Sequence, residues 1–444
     1  MKNALVLGIG VSGYGAARLL LENGYGVTAV DCSQSEDVRR RAASLRAAGA
    51  SVEQPAGGLP AGQFDLCVLS PGVPLDGDWV KEVSARAIEI LPELEVGWKY
   101  SESPMMAITG SNGKSTVTKL CGACLTDAGM SVEVGGNYGT PVSEIVRSGR
   151  ETDWIVAEVS SFQLEPIKEF RPRVGVLLNL QPDHLDRHGD MASYEAAKMR
   201  IFENMKSGDT AVVLDRLADA ARTSSQGDNG WLTFGMSESA DFRYCDGYVV
   251  SGAARGDQRI NLKGSKFESP IGGINAAAVA AALYGAGADL TVIEGSAREF
   301  VPLPHRMETV AEIGGVTFID DSKATNLEAM KAALRSCEKP VRLIAGGLLK
   351  EKNIESAKEL LANKVRRVYL IGKAAREMGA AWNDAVDCVE CGTLEEATKL
   401  AWNDAEAGDA VLLSPGCASF DQFAGFAERG RQFTAIAGLI KTGE

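Results

Sequence analysis

A glycine-rich turn near residue 110 restricts the fold of this chain more than any other feature. The apolar run Met105–Thr109 precedes it, the turn reads Gly-Ser-Asn-Gly-Lys over residues 110–114, and Ser115-Thr116 opens a segment of helical composition. Glycines let backbone N–H groups turn towards phosphate oxygens, and a helix N-terminus adds positive potential. The pattern predicts a strand, a phosphate-binding loop and a helix, which form the nucleotide-binding unit of a parallel α/β sheet.

The lysine and the hydroxyl at the end of this turn indicate its ligand. In a phosphate loop the lysine, here Lys114, reaches the β- and γ-phosphates, and the next hydroxyl, here Ser115, ligates Mg²⁺. Ile108 stands where the general motif has its first glycine, so the chain carries the shorter pattern Gly-x-x-Gly-Lys-Ser-Thr. We therefore expect a nucleoside triphosphate with Mg²⁺. The expected contacts are Gly110, Ser111, Asn112, Gly113, Lys114, Ser115 and Thr116.

The balance of charges argues against two classes of partner. The chain has 46 basic and 59 acidic residues, a net charge of −13, and no segment rich in lysine or arginine. Such a surface repels nucleic acids and anionic membranes at long range. No apolar stretch reaches the ~18 residues of a membrane span, and no signal-peptide pattern is found. We expect a cytoplasmic monomer that binds small molecules.

Short β-branched runs alternate with alanine-rich helical stretches, which is typical of parallel α/β layers. At about 150 residues per domain, this length predicts three domains. We expect boundaries in the polar segment 101–104 and at the prolines of 302–304. The predicted fold class is α/β, with a Rossmann-like N-terminal domain (1–100), a central P-loop ATPase domain with a parallel sheet (101–300) and a Rossmann-like C-terminal domain (301–444).

The two outer domains share a short sequence similarity. Residues 65–72 read DLCVLSPG and residues 409–416 read DAVLLSPG. In both, an apolar strand would deliver Ser-Pro-Gly at its carboxyl end, where open parallel sheets bind ligands. Because Ser-Pro-Gly is also a common turn, either copy alone is open to a purely structural interpretation.

Two strand ends supply residues suited to bind metal beside the phosphate loop. The run Trp154–Glu158 ends in a carboxylate, which we expect to ligate the Mg²⁺ of the loop; an exposed strand-end glutamate is the alternative. His184 and His188 follow the strand 174–180 among aspartates. Their spacing resembles a zinc-protease helix, but Leu185 stands where that motif has its glutamate. We assign His184 to a second Mg²⁺, with helix capping or a core position as the alternative.

A different class of enzyme fits the N-terminal residues alone. Gly8, Gly10 and Gly13 follow an apolar strand, and Asp31 ends the next one, where it would bind a ribose hydroxyl. This is the fingerprint of an NAD-dependent oxidoreductase, which leaves Lys114 and the metal ligands unexplained. A non-catalytic nucleotide-binding regulator is a third interpretation, against which the retained lysine and metal ligands argue.

Seven segments together resemble the Mur ligases, over essentially the whole chain. They are 109–116 (TGSNGKST), 135–137 (GGN), 158–165 (EVSSFQLE), Asn179 with 183–187 (DHLDR), 305–306 (HR), 320–326 (DDSKATN) and 413–423 (LSPGCASFDQF). The resemblance implies an ATP-dependent acid–amino-acid ligase of peptidoglycan synthesis.

The strings at 160–165, 321–326 and 419–423 are typical of the family member that adds D-glutamate to UDP-N-acetylmuramoyl-L-alanine. That reaction passes through an acyl phosphate and releases ADP and phosphate; a family ligase for another amino acid is the alternative. A central lysine is carbamylated in the family, and Lys198 matches it, although a surface helix lysine is what the sequence alone would favour. The resemblance implies two Mg²⁺ ions. Their ligands would be Ser115, Glu158, His184 and Lys198, and the catalytic residues Lys114, His184 and Lys198.

Further contacts carry over from the family position by position. The UDP precursor would be held by Val11, Ser12, Cys32, Ser33, Ser70, Gly72 and Asn137, and Ser160 and Gln163 are further expected substrate contacts. D-Glutamate would be held by Thr325, Lys350, Ser419 and Phe426, and Lys323 and Phe420 are further expected substrate contacts. Adenine and ribose would be held by Asn275, His305, Arg306 and Asp321. The chain departs from the family at Cys32-Ser33, where many relatives have Thr-Arg. It also departs before Asn275, where the family usually has a His-Asn pair and this chain has Ile271-Gly272-Gly273-Ile274.

Overall fold

The computed structural model describes residues 2–54, 58–225, 227–350 and 353–442, which contain three β-sheets. By compactness the chain divides into two units. The first unit is Met1–Leu180 with Glu195–Phe300, and it contains the first two sheets. The second unit is Gln181–Tyr194 with Val301–Glu444, and it contains the third sheet.

The first sheet has five parallel strands in the order β3-β2-β1-β4-β5. Its strands are β1 (Asn3–Leu7), β2 (Gly26–Val30), β3 (Ser51–Glu53), β4 (Leu66–Leu69) and β5 (Glu89–Pro92). The helices are α1 (Val11–Glu22), α2 (Glu36–Ala47), α3 (Asp78–Ala85) and α4 (Glu93–Lys99). Strand β4 is buried throughout, as expected of a parallel strand covered on both faces. The turn after β1 requires Gly13, because a Cβ there would lie 1.9 Å from the Gly8 carbonyl oxygen.

The second sheet has nine strands in the order β14-β13-β12-β11-β10-β9-β6-β8-β7, and only the β12-β13-β14 end is antiparallel. Its strands are β6 (Met105–Thr109), β7 (Val132–Gly136), β8 (Trp154–Glu158), β9 (Val174–Leu177), β10 (Thr210–Leu214), β11 (Gly230–Gly235), β12 (Phe242–Cys245), β13 (Tyr248–Ser251) and β14 (Arg259–Asn261). The helices of this part of the chain are α5 (Lys114–Asp127), α6 (Val142–Arg147), α7 (Ser161–Leu164), α8 (Leu185–His188), α9 (Met191–Met199), α10 (Ala218–Ser224), α11 (Pro270–Ala286) and α12 (Val292–Glu299).

The third sheet has six strands in the order β15-β16-β20-β17-β18-β19, with β15 antiparallel and the others parallel. Its strands are β15 (Glu308–Ile313), β16 (Val316–Asp320), β17 (Val341–Gly346), β18 (Val365–Ile371), β19 (Cys388–Gly392) and β20 (Ala410–Leu413). The helices are α13 (Leu327–Ser336), α14 (Lys358–Lys364), α15 (Ala375–Trp382), α16 (Leu394–Asp404) and α17 (Phe426–Thr442).

The α/β class with parallel sheets is confirmed. Both Ser-Pro-Gly segments follow buried strands as predicted, β4 before Ser70 and β20 before Ser414. The three sheets occupy three successive ranges of the chain, as three domains would, but the division by compactness places two of the sheets in one unit. The domain boundaries therefore stay predictions. Among the described helices, none is long and apolar enough to cross a membrane.

Candidate active site

The phosphate loop lies between β6 and α5 as predicted. Gly110 and Gly113 adopt φ values of 149° and 86°, which residues other than glycine rarely adopt. A Cβ at Gly110 would lie 2.9 Å from Leu178 Cβ, and one at Gly113 would lie 2.8 Å from Asn275 Oδ1. The loop is therefore pressed between two neighbours, and Asn275, which we expected near adenine, lies against it.

Lys114 is the first residue of α5, and its side chain folds back over the loop. The Lys114 ammonium donates hydrogen bonds to the carbonyl oxygens of Gly110 at 2.8 Å and Ser111 at 2.9 Å. Ser115 is buried one residue further on. The cation thus lies at the loop itself, where we expect the phosphates to bind.

Asn179 holds the phosphate loop from the neighbouring strand, a role that the sequence did not indicate. Its Oδ1 accepts a hydrogen bond from the Asn112 N–H, and its Nδ2 donates to the Asn112 carbonyl, both at 2.9 Å. The Ser111 N–H donates to the Asn179 carbonyl at 3.0 Å. The available signal was an amide side chain just beyond a strand end, beside the strand that carries the loop.

Glu158 ends β8 at the same sheet edge. Strands β8 and β6 are parallel neighbours with Glu158 opposite Ile108, so the carboxylate lies beside the start of the loop. Glu158 is only 3% exposed, which excludes the exposed-glutamate alternative. Its Oε1 accepts a hydrogen bond from Asn137 Nδ2 at 2.8 Å, which brings together two residues that we had assigned to different ligands.

Lys198, on α9, is buried against the phosphate loop. The residue is only 2% exposed, so the surface-lysine alternative is wrong. The Lys198 Nζ donates to the Gly110 carbonyl at 2.9 Å and lies 3.4 Å from Thr109 Oγ1. A lysine is seldom buried without a paired charge or a specific role.

Ser160 and Gln163 bond to each other at the start of α7. The Ser160 hydroxyl accepts from the Gln163 N–H at 3.3 Å, while Gln163 Oε1 accepts from the Ser160 N–H at 3.0 Å. This is a capping box, which satisfies two N–H groups at a helix N-terminus. Their predicted contact with a substrate stays a prediction.

The residues expected to hold the UDP moiety lie at the carboxyl edge of the first sheet. Ser70 donates from its hydroxyl to the Gly8 carbonyl at 2.8 Å. Asp31 accepts from the Ile9 N–H at 2.7 Å and from the Ser33 N–H at 2.8 Å, so this carboxylate holds two loops of the edge together. The expected residues that follow the strands here are Val11, Ser12, Cys32, Ser33, Ser70 and Gly72.

His184 belongs to the second unit, where it directly precedes α8. Its backbone adopts φ 55°, which is uncommon for a residue other than glycine. Its Nε2 lies 3.5 Å from Asp183 Oδ2. Asp183 is buried, accepts a hydrogen bond from Asn326 Nδ2 at 3.1 Å, and pairs with Lys350 Nζ at 3.8 Å.

The loops expected to hold D-glutamate meet at the carboxyl edge of the third sheet. Leu348 and Ala418 exchange two backbone hydrogen bonds of 2.7 Å and 3.0 Å, which join the loop carrying Lys350 to the loop carrying Ser419. Ser419 is buried, while Phe420 is 71% exposed. Thr325 lies beside Asn326, which caps α13.

Arg429 joins three of these loops and was missed in the sequence. It is completely buried, and its guanidinium donates to the Ser322 carbonyl at 2.8 Å, the Cys417 carbonyl at 3.1 Å and the Gly346 carbonyl at 3.5 Å. Burial lowers the pKa of Arg429 to about 10. A signal was present, because Arg429 stands four residues before buried Phe433 on the inward face of α17.

The residues expected near adenine and ribose surround the end of β16. The His305 Nδ1 and Asp320 Oδ2 atoms lie 2.7 Å apart, and Asp321 accepts from the Ser414 hydroxyl at 2.7 Å and the Met307 N–H at 3.2 Å. Burial raises the pKa of Asp321 to about 7 despite these hydrogen bonds. Arg306 is partly buried in the same turn.

Lys323 and Phe426 are in direct contact. The Lys323 ammonium lies 4.0 Å from the centre of the Phe426 ring, a cation–π distance. The Ser322 hydroxyl donates to the Phe426 carbonyl at 2.8 Å, which fixes the start of α17 against the 320–326 loop. Both of these predicted substrate contacts therefore belong to one cluster.

Two family models match the chain in the segments that carry these sites. The Mur ligase middle domain matches residues 108–286, and the Mur ligase glutamate ligase domain matches residues 305–417. The first range contains the phosphate loop, Glu158 and Lys198, and the second contains the loops of the third sheet.

Similar proteins cover nearly the whole chain. The UDP-N-acetylmuramoylalanine–D-glutamate ligase of Acidobacterium capsulatum is 39% identical over 97% of this chain and 95% of its own length. That of Desulfotalea psychrophila is 39% identical over 96% and 94%. The crystal structure of UDP-N-acetylmuramate–alanine ligase MurC from Thermotoga maritima is similar in fold, with a TM-score of 0.63 and 18% identity over 99% of this chain and 100% of that one.

These matches extend far beyond the glycine fingerprint of the first sheet, so the oxidoreductase interpretation is not favoured. The phosphate loop, the buried Glu158 and Lys198 beside it, and the full-length similarity all agree. The chain belongs to the Mur ligase family.

Proposed function

We propose that this chain uses ATP to join D-glutamate to UDP-N-acetylmuramoyl-L-alanine in peptidoglycan synthesis, releasing ADP and phosphate. The observation that carries the proposal is the similarity, over at least 96% of the chain, to relatives named for that reaction. We also propose three domains, 1–100, 101–300 and 301–444, acting as a monomer in the cytoplasm.

In the first step a carboxylate oxygen of the UDP precursor attacks the γ-phosphorus of ATP, and ADP leaves. Two anions must approach each other, so positive groups around the phosphates lower the barrier. Lys114 already lies at the loop, within 2.9 Å of two of its carbonyl oxygens. When ATP binds, we expect its ammonium to exchange those carbonyls for phosphate oxygens.

The side chains around the loop fit Mg²⁺. A serine hydroxyl and a buried carboxylate, from Ser115 and Glu158, are hard oxygen donors of the type that Mg²⁺ prefers. Lys198 does not fit as an amine. Attack of its neutral amine on carbon dioxide, with release of one proton, would give a carbamate, whose oxygens do fit. We propose that the carbamate and His184 serve a second ion. Bound Mg²⁺ would neutralise charge that develops on the transferred phosphoryl group.

In the second step the amine of D-glutamate attacks the carbonyl carbon of the acyl phosphate, and phosphate leaves as the amide forms. The cations Lys323 and Lys350 are suited to hold the carboxylates of the amino acid. Thr325, Ser419 and Phe426 would complete that site, with Phe420 at its exposed side. Arg429 would keep the three loops in register.

The remaining predicted contacts keep their assignments in this proposal. The first sheet would bind the UDP moiety, and Asn137 would contact the sugar while it orients Glu158. Asn275, His305, Arg306 and Asp321 would hold adenine and ribose. Fewer adenine hydrogen bonds than usual are expected, because Ile271 and Gly272 stand where relatives carry polar residues.

Phosphate release measured with UDP-N-acetylmuramoyl-L-alanine, ATP and one amino acid at a time tests the substrate assignment. We expect turnover with D-glutamate and little with L-glutamate, L-alanine, L-lysine or diaminopimelate. Equal or faster turnover with any of these would replace D-glutamate in the proposal. Dependence on the UDP precursor separates ligation from a plain ATPase.

A further inference from the structure

Asp183 and Lys350 form an ion pair inside the second unit. The Lys350 Nζ and Asp183 Oδ1 atoms are 3.8 Å apart, and the two side chains are 16% and 8% exposed. Because 3.8 Å exceeds a hydrogen-bond length, the pair is held by charge without a direct hydrogen bond. A mostly buried ammonium paired at this distance gains from an anion that comes closer.

Asn326 fixes the other side of the Asp183 carboxylate. Asn326 Nδ2 donates to Asp183 Oδ2 at 3.1 Å, while Asn326 Oδ1 caps α13 by accepting from the Ala329 N–H at 2.7 Å. Both ends of the amide are therefore engaged, so Asp183 is held by a rigid neighbour. That neighbour directly follows Thr325, one of the proposed glutamate contacts.

We propose that Asp183 is a placeholder for the carboxylate of the amino-acid substrate, occupying Lys350 until D-glutamate displaces it. This inference rests on the proposed function. The Asp183 carboxylate keeps the Lys350 side chain directed into the site and balances its positive charge. The substrate carboxylate then replaces this ion pair with direct hydrogen bonds to Lys350. Asp183 is thus a positioning residue that sets amino-acid affinity through Lys350.

Asp183→Asn tests this, because asparagine keeps an oxygen for Asn326 but removes the competing charge. Removing the carboxylate that competes for Lys350 in this mostly buried ion pair predicts that the KM for D-glutamate falls about two- to fivefold, while the KM values for ATP and the UDP precursor stay unchanged. Asp190→Asn is the matched control, since Asp190 lies in the same segment and its side chain accepts a local hydrogen bond from the Ser193 N–H. It should change none of the three KM values.

A binding experiment covers the case in which Asp183→Asn lowers kcat below detection through the neighbouring His184. Glutarate has the two carboxylates of glutamate without the amine, and its binding is measured by calorimetry on the full chain. We expect tighter binding to the variant than to the wild type. Unchanged or weaker binding, or an unchanged or higher KM for D-glutamate, overturns the placeholder role.

The Lys350→Met background shows whether the effect passes through Lys350. In that background Asp183→Asn should leave glutarate affinity unchanged, because the charge for which both carboxylates compete is gone. An equal gain in both backgrounds overturns the inference. If wild-type protein turns over another amino acid instead of D-glutamate, the proposed function fails, and that result is distinct from every outcome above.

Discussion

Lys198 donates a hydrogen bond to the Gly110 carbonyl oxygen at 2.9 Å, and the same oxygen accepts from Lys114 at 2.8 Å. Two ammonium groups thus converge on one atom of the phosphate loop, one of them in a residue only 2% exposed. Two positive charges this close repel each other, and the burial of Lys198 adds a desolvation cost to its charged form. Conversion of Lys198 to a carbamate would remove the repulsion and supply an anion for metal.

Lys198→Ala should lower ligase activity by roughly 100-fold or more, on the order of the loss when one group that stabilises transition-state charge is removed. Formate or acetate should restore part of the activity, because a small carboxylate fits the space of the missing carbamate. Lys206→Ala, an exposed lysine on the same stretch, is the control and should behave as wild type. Full activity of Lys198→Ala without added carboxylate would remove Lys198 from the site.

Lys114→Ala should abolish acyl-phosphate formation, with a fall in kcat on the order of 1,000-fold, because the phosphates lose their fixed cation. The partial reaction is followed by trapping the acyl phosphate with borohydride in the absence of D-glutamate. Lys119→Ala changes a lysine of the same helix whose ammonium lies 5.5 Å from the Phe300 ring, and it should keep the partial reaction. Near-normal trapping in Lys114→Ala would refute the catalytic role of the loop.

The sequence predicted strand ends and loop residues well because local chemistry determines them. Gly110 and Gly113 need positive φ, and an apolar run before them can only be the strand that delivers the loop. The hairpin of β12 and β13 was equally readable and was overlooked, since Asp246-Gly247 is a typical two-residue turn with positive φ at both residues.

What the sequence did not reveal depends on contacts between distant segments. Arg429 donates hydrogen bonds to three loops that are 12 to 107 residues away along the chain. No local sequence pattern predicts which residues these partners are. The pairing of Asp183 with Lys350 also joins residues far apart. The burial of Lys198 could not be predicted either, because helix α9 carries both polar and apolar residues and its sequence does not indicate which side of the helix is buried.

Asn179→Ala should raise the KM for ATP roughly 30-fold, because it removes two hydrogen bonds that hold the Asn112 backbone, each worth about 1 kcal/mol. The KM for D-glutamate should not change. Asn204→Ala removes an asparagine that also bonds backbone carbonyls, those of Lys168 and Phe170, but away from the loop. If both variants raise the KM for ATP equally, general loosening of the fold explains the effect and the specific role of Asn179 is wrong.

The pKa of Asp321 predicts how stability depends on pH. Burial raises this pKa from 3.8 to about 7, so the folded state binds the proton more tightly than the unfolded state does. The resulting stabilisation is complete below about pH 4 and is lost as pH rises through about 7. It amounts to a few kcal/mol at most, since a tenfold difference in proton affinity corresponds to about 1.4 kcal/mol.

Asp321→Asn does not titrate, so its urea midpoint relative to the wild type should rise between pH 4 and pH 8. Carboxylates whose pKa is lowered, such as Asp241, change the stability only at more acidic pH. They are present in both the wild type and the variant, so their effect cancels in the comparison. Parallel curves for the two proteins across this range would show that Asp321 is already ionised in the folded state.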